Sequence, residues 1–149
     1  MGTVLQALLT LVTAAVLVLA ALSAHAQQAK SVDGVVVQLG LMSAERAVHA
    51  EGHRDAHPAT FPSGSQHVLI TLADAKGHQP IADAEVVVEV VDPHGAVQKK
   101  SLLHTSAAGM PDYSELFVFG WSGTYSLRMT ATRPNAKPLK TTFTVHHSL

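Results

Sequence analysis

The chain has 149 residues, 10 Lys and Arg against 11 Asp and Glu, a formal net charge of −1, and no cysteine. Balanced charge without a block of either sign excludes a nucleic-acid footprint, which needs a basic patch. The lack of thiols excludes cysteine catalysis, disulfide exchange and thiolate metal sites, and a domain of this size can stand on its hydrophobic core without disulfides.

Val4 to Leu22 is almost wholly apolar and leads into Ala24-His25-Ala26, a small-x-small cleavage signature before Gln27. Residues 1–26 therefore read as the helix and cleavage site of a secretory signal. The n-region Met1-Gly2-Thr3 lacks Lys and Arg, and the apolar run approaches the roughly 20 residues of a membrane-spanning helix, so an uncleaved anchor is the alternative. Either way residues 27–149 form one domain beyond the membrane, in the periplasm, tethered to the inner membrane if the signal is retained. Nine of the ten histidines fall in that part of the chain.

The remaining sequence is a series of β-rich runs separated by turn residues. Val32–Leu39 is the first, followed by an irregular stretch from Met42 to Gly64, in which a short helical turn over Ser43–Val48 is compatible with the residues. His67–Leu72 is the second run. In Ala84–Val91, Val86, Val88 and Val90 fall on one face and Glu85, Val87, Glu89 and Val91 on the other, the period of a half-buried strand. Asp92-Pro93-His94-Gly95 is a turn that makes a hairpin with Ala96–His104. Ser106–Asp112 reads as a Gly/Pro loop. Tyr113–Phe119 and Thr124–Thr132 read as a strand pair across Gly120–Gly123, and Leu139–His146 as the last strand. The expectation is an all-β, seven-stranded antiparallel immunoglobulin-like sandwich after the signal helix.

From His67 to His146 the chain resembles the YtkA-like/FixH-like group of small extracytoplasmic immunoglobulin-type domains, and more distantly the CopC-type copper proteins. The likeness rests on Gly77-His78-Gln79-Pro80-Ile81-Ala82-Asp83-Ala84-Glu85-Val86, a turn into a strand, and on Gly123-Thr124-Tyr125-Ser126-Leu127-Arg128-Met129. It implies that Ile81 enters the core and that Gly123-x-Tyr125 forms a tyrosine corner. It also implies metal handling or the assembly of membrane redox complexes. The start of the mature chain, Gln27-Gln28, lacks the leading histidine of CopC-type proteins, which argues against a copper site at that end.

His49, His53 and His57 recur every four residues, with His67 ten further on. Imidazoles bind Cu(II), Zn(II) and Ni(II) without help from thiolates. Glu51 and Asp55 offer oxygen ligands or acceptors for the ring N–H groups. His146-His147 is a second candidate, and Met110 and Met129 are potential thioether donors to Cu(I), Met110 from a loop and Met129 from a strand that favours core packing. Phe117, Phe119, Trp121 and Tyr125 read as sandwich core or, alternatively, an exposed platform for a partner. His78, His94 and His104 read as surface.

No nucleophile elbow, H-E-x-x-H, phosphate loop or dinucleotide fingerprint is present, so the expected function is not enzymatic. The leading expectation is a periplasmic module that binds or delivers a transition metal through His49, His53, His57 and His67. Copper comes first, with zinc or nickel as alternatives, and a membrane protein is a candidate partner. The competing expectation is a metal-free interaction or assembly module.

Overall fold

The runs of Val, Leu and Ile at alternate positions resolve into two stacked antiparallel sheets in the computed structural model, which describes residues 28–50, 61–107 and 110–149. The signal segment therefore lies outside the described residues. The strands are β1 (Gln28–Val32), β2 (Val35–Ser43), β3 (Ser65–Asp74), β4 (Glu85–Val91), β5 (Val97–Ser101), β6 (Leu103–Ala107), β7 (Met110–Val118), β8 (Gly123–Thr132) and β9 (Leu139–His147), with one helix, α1 (Ala44–Ala50), between β2 and β3. Sheet I has the order β1-β2-β3-β7-β6 and sheet II the order β5-β4-β8-β9. Setting β1 aside, this is the A-B-E-D against C′-C-F-G arrangement of immunoglobulin-type sandwiches.

Among the described residues nine strands replace the expected seven because two runs split, and a third feature turns an expected loop into strand. The run Val32–Leu39 is broken by a two-residue hairpin in which Asp33 and Gly34 have φ of 48° and 75°, the twist-matched Asp-Gly turn. Ala96–His104 is two strands. The chain leaves sheet II at Ser101, buries Leu102 in the core and joins sheet I at Leu103. Ser106–Asp112 is mostly strand rather than loop, with Ala107 opposite Met110 in a tight hairpin. One pairing also differs. Tyr113–Phe119 and Thr124–Thr132 are consecutive but lie in different sheets, β7 against β3 and β6, β8 against β4 and β9.

The inward faces supply one core that includes Val37, Leu39, Val68, Ile70, Val86, Val88, Val90, Phe117, Phe119, Leu127 and Phe143, with Ile81 packed against it as expected. Two buried tyrosines fasten loops to it. The Tyr125 hydroxyl donates to Trp121 O at 2.9 Å and accepts from Trp121 N at 3.0 Å, the expected tyrosine corner. The Tyr113 hydroxyl donates to Ile81 O at 3.0 Å and accepts from Ala84 N at 3.1 Å, fixing the connection from β3 to β4.

Two lateral seams, where an edge strand of one sheet meets the other sheet, are closed by side chains. Along β1, Gln28 Nε2 donates to Thr144 O at 2.7 Å, and Lys30 Nζ donates to Thr142 O while standing 5.3 Å from the Phe143 ring centre. Along β5, Gln98 donates to Val118 O at 2.7 Å and accepts from Val118 N at 3.0 Å. Lys100 Nζ donates to Leu116 O at 2.6 Å and stands 5.3 Å from the Phe117 ring.

Replacing Tyr125 with Phe removes both corner bonds and leaves the Trp121 backbone groups without that partner, a loss of about 1–3 kcal/mol. It is measured by urea unfolding followed through Trp121 fluorescence. Burial raises the Tyr113 phenol above 10.0, with the Ala84 N–H opposing and nearby Asp83 adding to the rise. A folded value above the unfolded one means that stability is intact below 10.0 and falls as pH rises past it. The stability advantage of the wild type over Tyr113→Phe accordingly shrinks above pH 10.0.

Candidate metal centre at the histidine-bearing pole

Strand direction sorts the connections between two poles. The chain from β2 to β3, the β4–β5 turn, the β7–β8 turn and the end of β9 share one pole. The β1–β2, β3–β4, β6–β7 and β8–β9 connections share the other. His49 in α1, His67 near the start of β3, His94, His146 and His147 belong to the first pole. His53 and His57 lie in 51–60, outside the described residues, but the chain that carries them leaves the sandwich at Ser43 and re-enters at Ser65 on this same pole.

Two close approaches hold this pole together. Phe119 N donates to Gly64 O at 2.8 Å, and a Cβ at Gly64 (φ +78°) would stand 2.3 Å from Phe119 O, so only glycine fits. Gly123 (φ +146°) is pressed against Pro93, where a Cβ would meet the ring at 2.7 Å. The β2–β3 and β7–β8 connections are thus tied by a backbone hydrogen bond, and the β4–β5 and β7–β8 connections by the Pro93 ring on Gly123.

His67 is half-buried on the outward face of sheet I, because its neighbour Val68 points into the core. It pairs with Met42 on β2 and with Leu116 on β7. Residues directly opposite across antiparallel strands have Cβ atoms about 5 Å apart on one face, so thioether and imidazole stand side by side. The ring opens into a groove of about 340 Å³ whose walls include Ala44 and Ala47 of α1, Phe61, Leu103 and Leu116. Helix α1 buries Ala44 and Ala47 against the outer sheet face, outside the main core, and so roofs one side of the groove. Glu115 also borders it, and its Oε1 accepts from Leu116 N at 2.8 Å.

The other sequence-singled donors separate. His146 and His147 do not form a chelating pair, because strand alternation sends them to opposite faces. His146 is exposed beside Thr124, with Nδ1 2.9 Å from its Oγ1. His147 packs inward on Phe119 and Tyr125, ring centres 5.5 and 6.1 Å away, and its Nε2 is buried without a hydrogen-bond partner. Met129 is in the core, as strand packing favours, whereas Met110 belongs to β7 rather than a loop. Of the four aromatics, Phe117, Phe119 and Tyr125 are core, while Trp121 is 56% exposed and stacks on His94 at 5.1 Å and 20°.

Among the described residues no group of three or more His, Asp or Glu is placed to hold a metal. Met42 beside His67 is the donor that sequence reasoning missed. The first β-run was taken to end at Leu39, and only continuation of β2 to Ser43 brings Met42 into register. The larger concavity on the outer face of sheet II, about 510 Å³, carries Lys99, Arg128 and Lys140 around a Glu89–Lys99 ion pair at 3.0 Å and has no histidine.

No family model matches the chain, and no curated protein does either. Solved structures share its fold at low identity. A DUF4426 family protein from Pseudomonas aeruginosa is 14% identical with a TM-score of 0.64, covering 81% of this chain and 94% of its own. FetP from uropathogenic Escherichia coli, as isolated after recombinant expression in the periplasm, is 12% identical with a TM-score of 0.63, covering 83% and 94%. Copper-reconstituted P19 from Campylobacter jejuni is 12% identical with a TM-score of 0.60, covering 83% and 95%. The chain therefore has the sandwich fold of this set, which includes copper-bound proteins.

Proposed function

We propose that this protein is a periplasmic copper-binding or copper-delivery module, whose ion is held between His67 and the His49-His53-His57 segment. The observation that carries the reading is His67, which lines a groove bordered by the histidine-bearing connection and stands opposite Met42 across β2 and β3. A thioether beside an imidazole is a soft donor set, which favours copper over zinc or nickel. Copper-bound members among the solved structures of the same fold support it. The absence of thiolates and of any recognised catalytic motif fits carriage rather than chemistry, so we assign no enzymatic role. Export through residues 1–26 and the YtkA-like resemblance are part of the same reading.

The His segment supplies borderline nitrogen donors, and His67 supplies one more from a rigid strand. Fixing one ligand on the sheet lowers the ordering entropy that binding must overcome.

Purified protein is titrated with Cu(I), Cu(II), Zn(II) and Ni(II). The His49→Ala/His53→Ala/His57→Ala variant and His67→Ala each lose about tenfold or more in copper affinity. Met42→Leu loses a similar factor for Cu(I) alone and leaves Zn(II) unchanged. His147→Phe, which keeps the stack on Phe119 and removes a buried unpaired nitrogen, binds copper as the wild type does. Equal weak binding by all of these proteins overturns the proposal in favour of a metal-free interaction module.

A further inference from the structure

The exposed large apolar side chains are not scattered. Among the described residues Val97, Val118, Trp121, Leu103 and Leu149 are the exposed ones, and all but Leu103 lie at the histidine-bearing pole. Val97 follows the β4–β5 turn, Val118 ends β7, Trp121 forms the β7–β8 turn, and Leu149 N is bonded to Ser122 Oγ at 3.0 Å. Val97 and Val118 share the seam that Gln98 closes. In 92–96, 119–123 and 148–149 Asp92 is the only acidic or basic side chain other than histidine, and its Oδ1 is engaged by His94 N and Ala96 N, both at 2.8 Å. The β2–β3 connection of the same pole does carry charge, with Glu45, Arg46, Glu51, Arg54 and Asp55. The charge-poor part is therefore the side formed by the β4–β5 and β7–β8 turns and the chain end. Among the described residues the opposite pole's connections carry none of the exposed large apolar residues.

Trp121 is exposed but not loosely placed. Both of its backbone polar groups are held by the Tyr125 hydroxyl, and its indole is stacked on His94. An indole preset in this way loses little conformational freedom when it is covered, and Trp with its apolar body and polar N–H suits the boundary between water and hydrocarbon.

The chain enters the domain toward the same pole. β1 begins at Gln28, which bonds Thr144 close to the end of β9, and then runs away to the Asp33-Gly34 turn at the opposite pole. Only five residues, 23–27, separate Gln28 from the apolar run Val4–Leu22. Fully extended, five residues span at most about 18 Å. While that run is in a bilayer, the pole bearing Trp121 is therefore held within reach of the lipid. Single apolar side chains projecting from three separate segments suit a fluid lipid surface better than a shaped protein partner.

We propose that this pole is a membrane-docking surface. Trp121, Val97 and Val118 enter the lipid interface, while the His67 groove stays on the outward face of sheet I. The inference is independent of metal binding at that groove.

Trp121 is the one tryptophan of the chain, so its fluorescence reports the contact directly. The full chain and its exported form are each mixed with vesicles of phosphatidylethanolamine and phosphatidylglycerol, with and without lipids brominated near the headgroup. The expected result is a blue shift of Trp121 emission, protection from aqueous iodide and quenching by the shallow bromines. Val97→Ser/Val118→Ser, which alters only exposed side chains and keeps the probe, lowers partitioning of the exported form about fivefold or more. Its unchanged urea midpoint excludes misfolding as the cause. Unchanged emission and iodide quenching in the presence of vesicles overturn the proposal. So does a full chain that sediments with vesicles while Trp121 remains open to iodide, because the domain is then tethered with this pole in water. A blue shift that requires membranes containing other proteins also overturns it and assigns the surface to a protein partner.

Discussion

A two-sheet sandwich has to close its open sides, and here a repeated side-chain device does so. At each seam a Gln-x-Lys on an edge strand reaches across to backbone carbonyls of the facing sheet, Gln28 and Lys30 to β9, Gln98 and Lys100 to β7. Each lysine also stands over a core phenylalanine, Phe143 or Phe117. An edge carbonyl at a sheet-to-sheet seam cannot be left unpaired without cost, and a flexible amide or ammonium fills the gap where strand pairing cannot. The lysine methylenes cover the phenylalanine while the charge remains near water.

Apart from the Ser101–Leu103 crossover, the connections lie at the two poles, and the poles acquire different chemistry. One carries the β1–β2 and β6–β7 hairpins with the β3–β4 and β8–β9 connections, and among the described residues no exposed large apolar residue but Leu103 lies away from the other. The other gathers the long β2–β3 connection, the tyrosine corner, Trp121 and most of the histidines. Gly64 against the Phe119 backbone and Gly123 against the Pro93 ring tie these connections closely to one another. A ligand or surface met at this pole therefore encounters a preset arrangement carried on a rigid scaffold.

Much of the fold was legible in the sequence because strand alternation and turn chemistry are local. Val86, Val88 and Val90 declared their inward face, and Asp92-Pro93-His94-Gly95 its turn. The tyrosine corner was visible in Gly123-x-Tyr125, since the bond closes over four residues. Features that depend on partners were not legible. That Leu102 marks a change of sheet, or that β7 and β8 are adjacent in sequence but not paired, follows from which strands compete for the same edge. The site was legible as a composition, a run of histidines, but not as an arrangement. His146 and His147 are adjacent in sequence and face opposite ways, whereas Met42 and His67 are twenty-five residues apart and share a face.

By itself, then, the sequence determined the β class, the apolar N-terminal run, the absence of thiol chemistry and the supply of imidazoles, because each is a property of residue type or of a period of two. Tertiary structure decided which of those imidazoles have neighbours and which end of the molecule carries them. Pairing across strands and the direction of each strand are set by the packing of the whole core, and no local stretch of sequence contains that information.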